Sequence, residues 1–554
     1  MKKKNLLSFL ACILLSIPVY GQWNPDPAIN LMISKEGDKE QSLVKAEPTP
    51  DGKIFVSWLK WEDGMNAYIK LQLMDKDGNA YFDDGGIYVS QKQTETWTAG
   101  YDLKVTPDGC AIIACTDSRN DNERHSFETY VYKIDQDGNF LWGLDGIRLP
   151  DYKSKAMRPQ IGITNAGVVF VGYHDFYSVS VDEDMEADDQ FTYNIMRIND
   201  DGTLAWAEPL RMNGVYGNFT PCEEEDLYLT ILSNGLTVHR LDPYGDDVWG
   251  GGLVVDNRDV NSRNEIYPVP DGKGNIVLAY QRYIDLSNAK ACMQRVSPDG
   301  ELMMGLTAID LWDEYGIHSL PGLALDPERE EIVAYWDWEY RTTDTSVTST
   351  LCLNKYSYNG DALWEEPKQI ESEEMWGYAS CAGHMLDDGS VIAVYGDRSG
   401  PVQCQVTIRK FDIDGNTLWK ETMGVKNSLI LEEPEGIFDQ EEMYIFWSDD
   451  REKKGTAGYG SVYGHKLRYE DGKCVGIKTT DLNADMNIAF SKNILSVNAP
   501  ANGQLFIYDL NGALIQTANI YAGANNVAIN TQPGVYVAKV IAGNKIQNHK
   551  VFVK

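Results

Sequence analysis

Positive charge is scarce in this sequence. Its 554 residues include 49 lysines and arginines against 83 aspartates and glutamates, which gives a formal net charge of −34. Nucleic-acid binding requires a basic surface that contacts phosphates, and attachment to an anionic membrane through a basic patch has the same requirement. The charge balance therefore argues against both kinds of partner.

Long apolar runs and catalytic motifs are missing as well. Beyond residue 21 no segment approaches the run of about 18 apolar residues that marks a membrane-spanning helix, so we expect no transmembrane segment. The sequence contains no HExxH, no GxSxG and no glycine-rich phosphate loop, and it identifies no catalytic residue. These absences favour a non-enzymatic role. Catalysis stays open, because the carboxylate pair of a glycoside hydrolase is defined by spacing in three dimensions.

Cysteines and calcium-binding motifs give no cofactor. Eight of the nine cysteines follow residue 21 without forming a CxxC pair, which argues against a zinc site and favours buried thiols. Segments 75–79, 135–139 and 412–416 read Asp-x-Asp-Gly-Asn, but they lack the further ligands of a calcium loop. Ca²⁺ therefore stays a candidate without a complete motif, and hairpin turns are the favoured interpretation. The acidic run at 182–189 is a better cation candidate, although such runs are usually solvated loops.

The N-terminus carries a targeting pattern. Met1 is followed by three lysines, and an apolar stretch runs from Leu6 to Val19, just before Gly21. A basic start, a short apolar core and a small residue at the cut are typical of a secretory signal peptide. We therefore assign residues 1–21 to a signal peptide that directs export through the inner membrane.

The C-terminal residues differ from the rest in charge. Residues 485–554 contain two acids and five lysines, a balance of +3, and residues 1–21 carry another +3. Removing both from −34 leaves −40 for residues 22–484. A change of this size indicates a domain boundary near residue 480.

Strand-like motifs follow this boundary. They include Gln504–Asp509, a turn at Asn511-Gly512, the strand Pro533–Val540 and the closing Lys550–Lys554. This order resembles the type A C-terminal sorting domain of the bacterial type IX secretion system. The resemblance covers roughly the last 70 residues and implies a small β-sandwich at 481–554 that engages the secretion machinery. It also implies a protein that is secreted or anchored at the outer cell surface. A generic immunoglobulin-like module is the alternative.

The region between the two ends repeats one motif, in which a bulky side chain follows a turn glycine by four residues. The copies pair Gly78 with Phe82, Gly138 with Trp142, Gly202 with Trp206, Gly245 with Trp249, Gly300 with Met304, Gly360 with Trp364 and Gly415 with Trp419, and a degenerate copy contains Gly472. A second turn precedes each copy and leads into an apolar run. The unit therefore reads as four antiparallel strands, which is typical of a β-propeller blade.

These repeats predict an all-β chain in which residues 22–480 form an eight-bladed β-propeller, or a seven-bladed one if the last copy is not a blade. A small C-terminal β-sandwich follows. We expect the recurring tryptophan to lie in the outermost strand of each blade and to wedge against the neighbouring sheet.

Candidate binding residues come from the loops. Because the tight turns share one face, the longer loops share the opposite one, which we call the long-loop face, and loops on a rigid scaffold usually carry binding residues. Several apolar second strands end in aspartate, often with arginine close behind. These residues are Asp117, Arg119, Asp175, Asp337, Asp397, Arg398, Asp449 and Arg451. They suit a cation or a polyhydroxylated ligand, but internal pairing of each Asp with its loop and its Arg is the favoured alternative.

Aromatic side chains near these loops could stack on sugars. They are Trp58, Trp61, Trp336, Trp338 and Tyr340, and packing within the fold is the favoured alternative for them. The candidate binding set adds Trp336 and Trp338 to the charged residues. We therefore expect an exported, monomeric propeller that binds a glycan or a protein. The alternative hypothesis is a hydrolase or lyase that acts on extracellular polysaccharide.

Overall fold

The chain divides into two compact units. The structure is a computed structural model that describes residues 23–34, 40–63, 66–83, 85–95, 100–119, 127–150, 155–176, 192–222, 225–233, 235–258, 260, 266, 268–341, 347–374, 379–397, 405–425, 434–453, 460–474, 487–491, 493–499, 501–509, 513–542 and 545–553. The first unit spans Met1–Gly476 and the second Ile477–Lys554. The predicted signal peptide, the acidic run at 182–189 and the Asn511-Gly512 turn lie outside the described residues.

Both units are built from strands, which confirms the all-β prediction. The described residues hold no α-helix, only a short 3-10 turn at Arg451–Lys453. No helix among them is long and apolar enough to cross a membrane. The cysteines whose side chains the structure describes are buried, as expected for thiols within apolar strands: Cys110, Cys115, Cys222, Cys292, Cys352 and Cys474.

The first unit consists of short strands that follow one another closely along the chain. They are β1 (Leu31–Met32), β2 (Gln41–Pro48), β3 (Ile54–Asp63), β4 (Asn66–Met74), β5 (Ile87–Glu95), β6 (Tyr101–Val105), β7 (Ala111–Asp117), β8 (Glu128–Ile134), β9 (Ile147–Arg148), β10 (Lys155–Ile163), β11 (Val169–Phe176), β12 (Thr192–Ile198), β13 (Leu210–Asn213), β14 (Val215–Pro221), β15 (Leu227–Ser233), β16 (Gly235–Leu241), β17 (Leu253–Asp256), β18 (Val269–Pro270), β19 (Ile276–Asp285), β20 (Asn288–Val296), β21 (Ile309–Asp310), β22 (Ile317–Asp326), β23 (Glu331–Arg341), β24 (Val347–Ser357), β25 (Lys368–Glu374), β26 (Ala379–Met385), β27 (Val391–Asp397), β28 (Gln405–Phe411), β29 (Thr417–Met423), β30 (Glu435–Phe438), β31 (Glu442–Asp449) and β32 (Ser461–Arg468).

These strands form a series of four-stranded antiparallel meanders. In the described part of the unit the first seven sheets are β2–β5, β6–β9, β10–β13, β14–β17, β18–β21, β22–β25 and β26–β29. The eighth combines β30, β31 and β32 with β1, which pairs with β32 through Leu31 opposite Gly464. The fifth and sixth sheets also share one parallel pair, Ala289 with Ile317. Each meander matches the strand–turn–strand unit read from the sequence.

The first strands of neighbouring sheets contact one another in turn. Contacts link β2 with β6, β6 with β10, β10 with β14, β14 with β18, β22 with β26, β26 with β30 and β30 with β2, and β19 contacts β22 between the fifth and sixth sheets. The series therefore returns to the strand at which it began. Since β1 comes from the start of the unit and β32 from its end, their pairing ties the two ends together.

The recurring bulky side chain packs on the turn glycine of the next sheet. A Cβ at Gly202 would lie 2.8 Å from the Trp142 indole, and Trp142 Nε1 donates to Asp200 O at 3.0 Å. The same contact joins Phe82 to Gly138, Trp206 to Gly245, Trp249 to Gly300, Met304 to Gly360, Trp364 to Gly415 and Trp419 to Gly472. The predicted wedge between sheets is thus confirmed. Its position differs from the prediction in places, since Trp142 precedes the outer strand β9 rather than lying in it.

The first sheet receives this contact from the N-terminal segment. Trp23 is buried, its Nε1 donates to Lys76 O at 2.9 Å, and a Cβ at Gly78 would lie 3.1 Å from its ring. The residue that completes the series therefore lies outside the motif copies. No spacing in the sequence pointed to it.

Bulges interrupt several first strands near the long-loop face. In β2, β10, β14 and β22 the register with the second strand shifts by one residue. A residue with positive φ sits in each bulge: Leu43 at 52°, Arg158 at 52°, Tyr216 at 55° and Leu320 at 49°. Positive φ is strained for side chains of this size. The same strained backbone conformation therefore recurs in the first strand of these four sheets.

The second unit contains two sheets around one core. Its strands are β33 (Asn487–Ser491), β34 (Ile494–Ala499), β35 (Gly503–Tyr508), β36 (Leu514–Ile520), β37 (Gly523–Ala528), β38 (Gly534–Ala542) and β39 (Lys545–Val553). One sheet has the order β33-β34-β37 and the other β36-β35-β38-β39. Leu495 and Val497 from the first and Leu505, Ile507 and Val540 from the second share a hydrophobic cluster. Side chains alternate between buried and exposed along β34, as the sequence pattern predicts.

Candidate functional site

Meander geometry fixes which groups reach the long-loop face. The turn that ends β2 and the turn after β4 close with backbone hydrogen bonds, Gly52 N to Thr49 O and Gly78 N to Asp75 O. The second strand of each sheet runs away from these turns, so its last residues lie at the opposite face. Asp117 and Asp449 occupy such ends, and Asp337 lies four residues before the end of β23.

Asp117 and Arg119 form a closed pair. Asp117 is fully buried, and Arg119 Nε donates to its two carboxylate oxygens at 3.0 and 2.8 Å. The guanidinium also donates to Asp145 O at 2.6 Å and to Tyr132 Oη at 2.7 Å, and it lies 3.5 Å from the centroid of the Tyr130 ring. The guanidinium is therefore enclosed on these sides and ties the end of β7 to Asp145 and Tyr132.

The eighth sheet repeats this arrangement with different neighbours. Arg451 Nε donates to both oxygens of Asp449 at 2.8 and 3.0 Å, and Trp447 Nε1 donates to Asp449 Oδ2 at 2.9 Å. Arg451 Nη1 donates to Asn30 Oδ1 at 2.8 Å, so the pair also holds the segment before β1. The guanidinium lies 3.8 Å from the Tyr463 ring centroid.

A third pair was missed because it follows a fourth strand. Arg258 Nε and Nη2 donate to the two oxygens of Asp256 at 2.7 and 2.6 Å, and Tyr280 Oη donates to Asp256 Oδ2 at 2.8 Å. The spacing Asp-x-Arg is common to all three pairs and could have found this one. In each pair the guanidinium occupies both oxygens, so a binding role for these carboxylates stays a prediction.

The other charged candidates are placed separately. Asp337 is buried and accepts a hydrogen bond from Ser349 Oγ. Asp175 and Asp397 end β11 and β27, but their side chains, like the whole of Arg398, lie outside the described residues. The described candidates therefore form local pairs in their own sheets.

Aromatic residues on β23 form a ladder towards the long-loop face. Trp336, Trp338 and Tyr340 alternate along the strand and so share one side of it. Trp336 is fully buried, whereas the rings of Trp338 and Tyr340 are half-buried and stacked, with centroids 4.2 Å apart and planes 26° apart. The ladder thus runs from the core to the surface.

The connection between the fifth and sixth sheets adds further rings. The Trp312 ring lies 4.8 Å from that of Trp338, edge to face. Tyr315 is 62% exposed, its backbone oxygen accepts from Trp338 Nε1 at 3.2 Å, and its hydroxyl lies 2.9 Å from Ser287 Oγ. We call Trp312, Tyr315, Trp338 and Tyr340 the aromatic rim. Sequence reasoning missed Trp312 and Tyr315 because only the fold brings this connection to β23.

Two polar atoms beneath the rim lack partners. His318 is buried, and its Nε2 lies 2.9 Å from Glu314 O, to which it donates, so Nδ1 is an acceptor. Neither His318 Nδ1 nor Trp336 Nε1 has a hydrogen-bond partner among the described residues. Burial lowers the pKa of His318 to about 4, which keeps the imidazole neutral at neutral pH. The rim therefore overlies one free donor and one free acceptor.

The two other candidate tryptophans are used in packing. Trp58 is fully buried and donates from Nε1 to Gln41 Oε1 at 2.8 Å, and Trp61 Nε1 donates to Ser42 Oγ at 2.7 Å. Both bonds hold the first sheet together. This placement agrees with the packing interpretation.

The segments that resemble calcium loops are hairpin turns. Asp75 Oδ1 accepts from the backbone N–H groups of Asp77 and Asn79, and Asn79 Nδ2 donates to Asp75 Oδ2. Asp135 and Asp412 do the same in their own turns. Within the described residues no cluster of three or more His, Cys, Asp or Glu side chains could hold a metal ion.

Residues 483–554 match the family model described as the secretion system C-terminal sorting domain. The resemblance seen in the sequence is thereby confirmed for this segment, which is a type IX secretion sorting domain. The protein is therefore exported and is secreted or attached at the outer cell surface.

Several solved structures match this chain at low sequence identity. A protein of unknown function from Dyadobacter fermentans is 11% identical, with 79% of this chain and 98% of that chain covered and a TM-score of 0.36. An α-L-arabinofuranosidase from Fusarium graminearum is 10% identical over 79% and 97%, with a TM-score of 0.38. An α-L-arabinanase from Penicillium chrysogenum is 11% identical over 79% and 98%, with a TM-score of 0.33. No curated protein matches the chain.

Proposed function

We propose that the protein is an exported glycan-binding β-propeller without catalytic activity. In this proposal residues 1–21 are a cleaved signal peptide, and the eight sheets of the first unit are the blades of an eight-bladed propeller. The two sheets of the second unit form the β-sandwich that the secretion machinery reads. The propeller is the cargo, and its long-loop face holds the ligand.

The stacked and half-buried pair Trp338–Tyr340 carries this proposal. Aromatic rings present flat apolar faces with polar edges, and sugar rings pack on such faces while their hydroxyls reach nearby polar groups. The exposed Tyr315 widens the surface, and polar atoms of Ser287 and Glu314 border it. The rim thus combines stacking surface with hydrogen-bonding groups.

Three carboxylates of the long-loop face support binding over hydrolysis. Glycoside hydrolysis needs two free carboxyl groups, one of them held protonated. Asp117, Asp256 and Asp449 instead give both oxygens to an arginine. A polysaccharide hydrolase or lyase stays the alternative that the assay below must test.

A glycan and protein array with residues 22–554 tests the proposal, followed by incubation of each bound ligand and chromatography of the products. We expect at least one glycan to bind and to be recovered intact. Shortened products would contradict the non-enzymatic function. Binding of proteins only, or of nothing, would contradict the glycan ligand.

A further inference from the structure

Arg158 differs from the other arginines of the long-loop face. It makes no ion pair and no side-chain hydrogen bond with any residue that the structure describes. Arg119, Arg258 and Arg451, by contrast, each bind a carboxylate. An unpaired guanidinium is conspicuous in a chain with a net charge of −34, because acidic partners are abundant.

The backbone fixes the direction of this side chain. Arg158 lies in the bulge of β10 at a φ of 52°, directly before the buried Pro159. Proline disfavours helical conformations at the preceding residue, and bulges re-aim side chains near binding sites. The bulge recurs in β2, β14 and β22, where the equivalent residues are Leu43, Tyr216 and Leu320. The position is therefore structural, and the arginine in it is particular to the third sheet.

No carboxylate of the described residues lies within ion-pair distance of Arg158. Its guanidinium lies 5.4 Å from the centroid of the Tyr216 ring, which belongs to the next sheet. Tyr216 N donates to Nε2 of the buried His174 at 2.9 Å, and the His174 ring packs edge-on against Tyr193 and Tyr216. Burial, with the nearby charge of Arg158, lowers the pKa of His174 to about 3. The wall beside Arg158 is thus aromatic and neutral.

The first strands of the first three sheets carry more basic than acidic residues, whereas the chain as a whole is strongly acidic. Strands β2, β6 and β10 contain four basic residues, Lys45, Lys104, Lys155 and Arg158, and two acidic ones, Glu47 and Asp102. Lys104 pairs with Glu47, and Lys45 lies 3.6 Å from Asp102. These strands therefore carry a net positive charge, and an excess of one sign of charge attracts ligands of the other.

We propose that Arg158 binds the carboxylate of an acidic glycan, with the Tyr216 ring packing against the uronate sugar that carries it. The planar guanidinium matches a carboxylate through two parallel hydrogen bonds. This proposal rests on the proposed function, since it takes the ligand to be a glycan on the long-loop face. It adds the ligand's charge and a second contact point beyond the aromatic rim.

A glycan fits this place better than an extended peptide. Peptides bind a free sheet edge by adding a strand to it, and β10 is the edge strand of its sheet. The bulge at Arg158 breaks the regular spacing of that edge, and Pro159 has no N–H to donate. Side-chain recognition of a sugar carboxylate needs no regular edge.

The test is calorimetric titration of residues 22–554 with an oligogalacturonate and with a neutral oligogalactose of the same length. We expect tighter binding of the uronate, weakened by salt, and a loss of roughly tenfold or more of this preference in Arg158→Gln. Binding of the neutral sugar should not change. Arg468→Gln is the matched control, because it removes an equal charge from an exposed pair with Asp471.

Since Arg158 has no ion-pair partner among the described residues, Arg158→Gln should keep the melting temperature of the wild type. Arg158→Lys keeps the positive charge but lacks the planar guanidinium, and it should retain part of the preference for the uronate over the neutral sugar. Equal uronate binding by wild type and Arg158→Gln, or no preference of the wild type for the uronate over the neutral sugar, would overturn this inference. The proposed function would still stand in both cases, because the glycan array tests it separately.

Discussion

The tight-turn face and the long-loop face of the first unit follow opposite rules. On the turn face Asp75, Asp135 and Asp412 accept hydrogen bonds within their own turns, and the motif glycines from Gly78 to Gly472 each lie against a bulky side chain of a preceding segment. On the long-loop face the sheets diverge, and Arg158, His318 Nδ1 and Trp336 Nε1 lack partners among the described residues. A contact that repeats from sheet to sheet indicates a structural role, and a feature confined to one sheet is a candidate for function.

Trp23→Ala should have the largest destabilising effect among changes to the contacts between bulky side chains and motif glycines. The side chain is 4% exposed, contacts Gly78 and holds Lys76 O, so its loss leaves a cavity where the ends of the unit meet. We expect a loss of about 3–5 kcal/mol in the free energy of unfolding, measured by urea denaturation. Trp142→Ala, which removes the same contact at a half-buried site, is the control and should cost less. Equal losses would contradict a special role of Trp23 in closing the series.

Acid should destabilise the unit through buried histidines near the long-loop face. The pKa of His318 falls from 6.5 to about 4 on folding because burial disfavours the charged ring. The unfolded chain therefore binds more protons, and the stabilising contribution is present above pH 6.5 and lost as the pH falls to about 4. For this one group the loss is on the order of 3 kcal/mol.

Thermal unfolding between pH 7 and pH 4 measures this loss, with His318→Gln as the comparison. The variant should show a smaller fall in melting temperature over the same range. An identical pH dependence in wild type and variant would show that His318 does not carry the effect.

Gly202→Ala tests the contact between sheets with a smaller expected effect. Gly202 has a φ of +85°, and a Cβ there would lie 2.8 Å from Trp142. Gly250 has a φ of +69° with nothing within 4 Å of its Cβ position, so Gly250→Ala reports the backbone strain alone. We expect Gly202→Ala to lose about 1–3 kcal/mol more than Gly250→Ala, measured by urea denaturation. Similar losses of unfolding free energy in the two variants would mean that the Trp142 side chain can move away from the new methyl group without destabilising the protein.

The turn face was predictable because its signals are local. Asp-Gly pairs specify tight turns, and the bulky residue four positions after each glycine repeats often enough to be recognised. The C-terminal unit was predictable for the same reason, since its strands alternate and its motifs are ordered along the chain.

The long-loop face depends on distance in space rather than along the chain. Trp312 and Trp338 lie 26 positions apart in the sequence, and no sequence pattern predicts that their rings are in contact. Leucine or arginine at positive φ has no sequence signature either, so the bulges at Leu43 and Arg158 could not be foreseen. The contact of Trp23 with Gly78 could not be predicted, because Trp23 lies outside the repeated motif.

The most direct test of the contrast between the two faces compares two exposed tyrosines. Tyr315 on the aromatic rim is 62% exposed, and Tyr244 on the turn face is 73% exposed. Calorimetric titration of the array-selected glycan should show that Tyr315→Ala weakens binding by roughly 3- to 10-fold while Tyr244→Ala leaves it unchanged. Equal affinities in both variants, or a loss confined to Tyr244→Ala, would contradict a ligand site on the long-loop face.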